Sequence, residues 1–245
     1  MTETTLESDW AKLGVLFSTA PSSDTPDIER LLLRTARAAP RHARLVTITA
    51  TWLLVHGHAV ARHRLRRLVA SELEHAIRPV LAFIIDSALR LGATKRLSIV
   101  LDACAPAAVP GPLHELHRVD PRLRTIAQRN ACPLSTKWGV WFPTVTPKHD
   151  VMRPVTWVRA ANPAFHARAV RQGDLRCSIV ETLRLDACGV IASEHALARL
   201  SGATRAGLRK ALDALAREGE ILRPPRFPGR RDRIIRLATG ATGDG

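Results

Sequence analysis

The chain has 245 residues, room for one large domain or two smaller ones, and 46% are apolar, so a sizeable core can be buried. Its 37 basic residues against 22 acidic ones leave a formal net charge of +15, which favours a polyanionic partner: DNA, RNA or an anionic surface. The acidic, polar start MTETTLESDW does not suit a signal peptide, and the most apolar stretch, PVLAFIIDSALRLG, is too short to cross a bilayer and carries Asp86. A soluble, cytoplasmic protein with no membrane partner is therefore expected. A preference for arginine over lysine and the absence of tyrosine fit a GC-rich coding bias, but that bias does not produce an excess of base over acid. Four cysteines (Cys104, Cys132, Cys177 and Cys188) form no C-x-x-C pair and are expected to be reduced thiols, mostly in the core.

Taken in order, Trp10, Leu13, Val15, Leu16 and Phe17 precede a loop, and Asp24 or Thr25 is expected to cap a helix through IERLLLRTARA that Pro40 ends. The apolar run from Leu45 to Val55 fits a buried helix or a strand, and periodicity does not decide between them. RHRLRRLVA and SELEHAIRPVLAFIIDSALRLG are expected to be helices, the second capped by Ser71, kinked at Pro79 and stopped at Gly92. KRLSIVLDAC fits a strand or a further helix, APAAVPGP is a break, and residues 113 to 132 are expected to be helical again. Residues 1–132 thus form a helical N-terminal region. Residues 133–161 form a Trp/Pro-rich connector whose aromatics are expected to pack into a small core.

The last part of the chain has the clearest pattern. DLRCSIVETLRL places Leu175, Ile179, Val180 and Leu183 on one helical face. In SEHALARLSG, Ser193 is the expected cap and Gly202 the turn. In TRAGLRKALDALAREG, Thr204 caps, Leu208, Ala211, Leu212 and Leu215 form the buried stripe, and Gly219 stops the helix. EILR and RIIRL are expected to be two strands flanking RPPRFPGRRDR, a loop stiffened by Pro224, Pro225 and Pro228. Ala198, Gly202 and Leu208 have the A-x3-G-x5-L spacing of two helices joined by a tight turn. The fold class expected is mainly α, with a C-terminal winged helix-turn-helix over 162–238 that carries a two-stranded wing, followed by a disordered tail over 239–245.

On these features residues 162–238 resemble the winged-helix domain of bacterial transcriptional regulators of the broad MarR/ArsR-like kind. The approach NPAFHARAV is similar to the N-P-x-x-x-x-R lead-in of some of them. The resemblance implies that the second helix of the pair enters the major groove of duplex DNA while the wing follows the backbone. Arg205 and Arg209, one turn apart and away from the leucine stripe, would meet base edges or phosphates. Arg226, Arg230, Arg231 and Arg233 would supply phosphate contacts from the wing. Lys210 and Arg223 complete the candidate DNA-binding set.

Motifs for catalysis are lacking: there is no Gly-rich phosphate loop, no G-x-S-x-G and no H-E-x-x-H. His56, His58 and His63 lie close in sequence, and His114 and His117 lie near Cys104 and Cys132, but the spacing matches no common zinc pattern. Neither a metal nor another cofactor is expected, and the chain is not expected to be an enzyme. The expected function is DNA binding by a bacterial transcriptional regulator. The alternative is a non-catalytic nucleic-acid-binding subunit of a defence, toxin–antitoxin or nucleic-acid-processing assembly, and a third reading is an enzyme hidden in the N-terminal region. Apolar faces at Leu31–Leu33, Leu53–Val55 and Val80–Ile85 suggest a homodimer, or a protein partner, through the N-terminal half.

If the wing arginines contact phosphates, Arg230→Ala with Arg231→Ala weakens binding to all duplexes alike. The slope of log affinity against log salt then falls by about two, because each lost contact releases roughly one fewer counterion. An unchanged slope in the folded double variant would contradict this.

Overall fold

A computed structural model of the chain describes residues 3–223 and 234–238. Its first half contains α1 (Glu3–Lys12), α2 (Ile28–Ala38), α3 (Arg44–His56), α4 (Arg62–Glu72) and α5 (Arg78–Leu91), with short 3-10 segments at Gly57–Ala59 and Lys95–Ala103. Strand β1 (Gly111–Pro112), α6 (Glu115–Val119), α7 (Pro121–Arg129), α8 (Pro133–Lys137) and β2 (Val140–Trp141) follow, and β1 pairs in parallel with β2. Helices α9 (Val155–Ala161) and α10 (Pro163–Val170) lead into the C-terminal elements.

The apolar run at 45–55 resolves as helix α3, whose thirteen residues exceed the usual length of a buried strand. Helix α5 lies at the centre, packed on α2, α3 and the Lys95–Ala103 segment, and every residue from Pro79 to Ala88 is buried. Side chains such as Phe83, Ile84 and Ile85 each contribute about 1.5–3 kcal/mol by leaving water. Three buried indoles find acceptors: Trp10 donates to Thr35 Oγ1 at 2.9 Å, Trp52 to the Leu13 carbonyl at 3.0 Å, and Trp138 to Asp86 Oδ2 at 2.9 Å. The last of these, with Lys137 Nζ at 2.7 Å from the same carboxylate, pins the tryptophan-rich connector to α5. The first core also takes in Val145, Val158 and Phe165, so the connector and α10 belong to it, and the chain enters its second core only at α11.

Several expected details differ. The cap of α2 is Asp27, which accepts from Arg30 N, and not Asp24 or Thr25. Ser71 lies inside α4 and donates to the Arg67 carbonyl, so it caps nothing. Pro79 opens α5 and does not kink it, because Pro fits the first turn, where its missing N–H costs nothing. Of the apolar stretches that suggested a dimer or a protein partner, Leu31, Leu32, Leu33, Leu53 and Val80 to Ile85 are buried within the chain, while Leu54 and Val55 are half-buried. Among the described residues no helix is long and apolar enough to cross a membrane.

The second core is formed by α11 (Leu175–Asp186), β3 (Val190–Ile191), α12 (Glu194–Ser201), α13 (Arg205–Arg217), β4 (Ile221–Leu222) and β5 (Ile235–Leu237). The strands lie in the order β3-β5-β4, antiparallel throughout, with Val190 opposite Arg236 and Ile221 opposite Leu237. Among the described residues the molecule is therefore mainly helical with two small sheets. Strand β3 was not expected from the sequence, and the expected tail at 239–245 lies outside the described residues.

Buried charges join the two cores. Arg64 of α4, 0% exposed, reaches Asp27 Oδ1 and Glu29 Oε2 through Nη1 at 2.8 Å, Asp27 Oδ2 through Nη2 at 2.7 Å, and Asp186 Oδ2 through Nε at 2.8 Å. Arg168 of α10 meets Glu29 Oε1 at 2.7 Å and Glu181 Oε2 at 2.6 Å. Glu29, also fully buried, accepts in addition from the Ala61 N–H at 2.8 Å. Arg30 bridges Asp27 and Asp186, and Arg184 pairs with Glu181. Four arginines thus face four carboxylates. Burial alone would raise the Asp27 carboxyl and lower Arg64. The mutual pairing outweighs burial, bringing Asp27 down to about 2 and Arg64 above its ordinary value.

Two glycines permit the same close approach. A Cβ on Gly173 (φ 57°) would lie 1.9 Å from the Val60 carbonyl oxygen, and one on Gly202 (φ 72°) would lie 2.6 Å from that of His63. Removing one member of a buried ion group leaves uncompensated charge. Glu29→Ala is expected to lower unfolding free energy by about 3–5 kcal/mol, read as a shift of the urea midpoint. A loss under about 1 kcal/mol would show that the arginines re-pair without it.

Candidate nucleic-acid interface

The geometry of α12 and α13 follows from their caps. Ser193 Oγ accepts from His195 N at 3.2 Å and Ala196 N at 3.4 Å, and Thr204 Oγ1 accepts from Gly207 N at 3.2 Å. Gly202 ends α12 in the left-handed conformation, and its N–H bonds to the Ala198 carbonyl. Leu208, Ala211, Leu212 and Leu215 are buried, as the spacing predicts, against Ile179, Leu183 and Leu197. The opposite face of α13 is therefore left to solvent.

That face carries Arg205, Arg209 and Lys210, all exposed, and none enters an ion pair among the described residues. Arg205 and Arg209 stand one turn apart and, with Glu194, His195 and Leu208, line a hollow of about 170 Å³. The structure thus brings Arg205 and Arg209 together, with Lys210 exposed on the same helix but not at the hollow. Arg223 is different. Its Nη2 lies 2.6 Å from Glu194 Oε1 and its Nη1 2.6 Å from Asp213 Oδ1, with only 8% of the side chain exposed. It joins the end of β4 to α12 and α13, so it is committed to carboxylates and does not present a free cation. Arg226, Arg230, Arg231 and Arg233 lie outside the described residues.

A basic group absent from the sequence-based set adjoins this module. Helix α4 packs on α11 and α12, and the His63 carbonyl abuts the Gly202 turn. Arg66 is exposed beside it, and Arg62 donates through Nη1 to the Gln172 carbonyl at 2.9 Å. The guanidinium of Arg62 is held below its ordinary value by burial and then by Arg96, and His63 by burial and then by Arg62 and Arg66. Like charges gathered in this way raise the local positive potential. The signal in sequence was RHRLRRL itself, four arginines in one helix, of which only Arg64 turns inward.

The histidines and cysteines considered for zinc are otherwise engaged. His114 Nδ1 accepts from Leu116 N at 3.2 Å, Cys132 Sγ from Ser135 N at 3.4 Å, and Cys104 Sγ faces the Val100 carbonyl at 3.7 Å. His56 is buried against the rings of Trp52 and Phe165, 5.2 and 5.4 Å between centroids, and burial brings it down to about 4. Among the described residues no group of three His, Cys, Asp or Glu side chains could hold a metal ion. Compared with protein-family models, with curated proteins and with solved structures, the chain matches none.

His63 reports on this charge cluster. In the free protein its imidazole is expected to titrate below the ordinary value of about 6.5, because burial and two guanidiniums disfavour its charged form. A polyanion bound over α4 neutralises those neighbours and moves the titration upward. Histidine NMR titration with and without duplex DNA measures this, and an unchanged His63 midpoint in a saturated complex would place the polyanion elsewhere.

Proposed function

We propose that the chain binds duplex DNA as a bacterial transcriptional regulator, with residues 162–238 acting as a winged helix-turn-helix. The order helix, strand, helix, helix, strand, strand, with the first strand paired to the last, supports this arrangement. In it α13 is the recognition helix and the paired strands β4 and β5 are the wing. The net charge of +15 supports a phosphate-rich partner.

One observation carries the proposal: the exposed cations of α13 are unpaired. Arg168 of α10, Arg171 just after it, and Arg176, Arg184 and Arg223 of the C-terminal module each meet a carboxylate, whereas Arg205, Arg209 and Lys210 of α13, like the exposed Arg199, Arg217 and Arg236, enter no ion pair among the described residues. Paired arginines hold the module together. The unpaired ones are free to donate to guanine O6 and N7 or to phosphate oxygens. On this reading Arg62, Arg66 and Arg96 extend the positive surface from α13 towards the first half of the molecule, where phosphates of the flanking duplex would lie.

The test begins with selection of a binding site from random duplexes. Arg205→Ala or Arg209→Ala is then expected to cost about 1–3 kcal/mol on the selected site while barely changing affinity for random DNA. Circular dichroism confirms that α13 remains intact, since Arg205 occupies its first turn. Equal losses on both DNAs would remove base reading by these residues, and failure to select any site would favour the alternative of a docking subunit in a larger assembly.

A further inference from the structure

The first half of the molecule holds a cavity that DNA binding does not use. It lies between the C-terminal turn of α5, helix α8 and the extended stretch at Thr144–Val145, and measures about 380 Å³. That volume is at the lower end for small-molecule sites. Leu91, Leu134 and Val145 give it apolar walls.

Its polar groups divide into committed and uncommitted ones. Lys137 Nζ is bound to Asp86 at 2.7 Å and lies 4.8 Å from the centre of the Trp138 ring, and Cys132 Sγ accepts from Ser135 N. Ser87 is otherwise. Hydroxyls inside helices normally donate to the carbonyl four residues earlier, and in this chain Thr35, Thr51, Ser71, Ser178, Thr182 and Ser201 all do so. Two buried helical hydroxyls, Thr49 Oγ1 of α3 and Ser87 Oγ, have no partner, and of these Ser87, 3% exposed, lines the cavity. Arg90, three residues on along the same helical face, stands exposed at the rim and enters no ion pair among the described residues. With Lys137 neutralised by Asp86, Arg90 leaves the mouth with an unbalanced positive charge.

We propose that this cavity binds a small amphipathic monocarboxylate. Its carboxylate accepts from the Arg90 guanidinium and from the Ser87 hydroxyl, which is enclosed in the free fold and turns about χ1 to reach it, and its compact apolar body lies against Leu91, Leu134 and Val145. A carboxylate suits the pair because it is acceptor-only and carries two oxygens. A phosphate is disfavoured, since one free guanidinium and one hydroxyl leave most of its charge and oxygens unmet in an apolar cavity.

Benzoate and hexanoate, with benzamide and hexanamide as uncharged controls, test this by calorimetric titration of the full chain. At least one acid is expected to bind saturably and at least tenfold more tightly than its amide. Arg90→Ala, at an exposed position, weakens acid binding about tenfold and leaves amide binding unchanged. Ser87→Ala weakens it several-fold without lowering Tm, because the lost hydroxyl had no partner in the fold. Leu134→Trp fills the cavity and abolishes binding of both acids. The proposal is overturned if neither acid binds, if the amides bind as tightly as the acids, or if Arg90→Ala and Leu134→Trp bind like the parent. None of these outcomes depends on whether the chain binds DNA, so this site and the DNA reading stand or fall separately.

Discussion

A single buried carboxylate, Glu29, organises the joint between the two cores. It sits at the start of α2 and divides its oxygens between Arg64 and Arg168, while also accepting the Ala61 N–H. Burying charge is costly unless every charge is met. Here Asp27, Glu181 and Asp186 complete the pairing, so a stretch of α2, the start of α4, α10 and α11 are locked into one geometry. Hydrophobic burial alone is non-directional and would tolerate sliding. The bidentate arginine contacts do not. Gly173 and Gly202 reinforce the joint by letting backbone meet backbone where a Cβ would collide.

The lock determines what remains outside. Because α11 and α12 turn towards α4, the outward surface of the C-terminal module is that of α13 and the β4–β5 end. The arginines then fall into two populations with different physical roles. Those facing the joint, or fastening β4 to the helices as Arg223 does, are neutralised by carboxylates. Those on α13 are not, and in the proposed regulator their uncompensated charge serves as the affinity for phosphate while their forked donors serve base reading. Arg62, His63, Arg66 and Arg96 repeat the second pattern next to the turn, at an electrostatic cost within the free protein.

Local signals in the sequence were legible and long-range ones were not. Ser193, Thr204, Gly202 and the Leu208–Leu215 stripe could be placed because capping and helical periodicity involve residues within four positions of each other. Strand β3 escaped because two residues carry no alternation to detect. The 45–55 run was ambiguous because its periodicity reflects burial by α5 and α2 from more than one side, which lies outside the segment itself. Arg223 was assigned to the interface on its proximity to the wing, and its capture by Glu194, 29 residues away, is invisible to any local pattern. The same blindness hid the Glu29 joint, whose partners lie 35 and 139 residues off. Most of the apolar segments that suggested a dimer are core of a single chain, since a hydrophobic run in sequence does not say which surface will cover it.

In the proposed regulator a rigid joint presents the outer face of α13 to duplex DNA. Amide hydrogen exchange on the free protein and on its complex with a selected duplex tests it directly. Added protection is expected from Ala203 through Asp213 and around His63 to Arg67, with the exchange of the buried helices α2 and α5 unchanged. Protection confined to other surfaces, or loss of protection in α2 and α10 on binding, would contradict it.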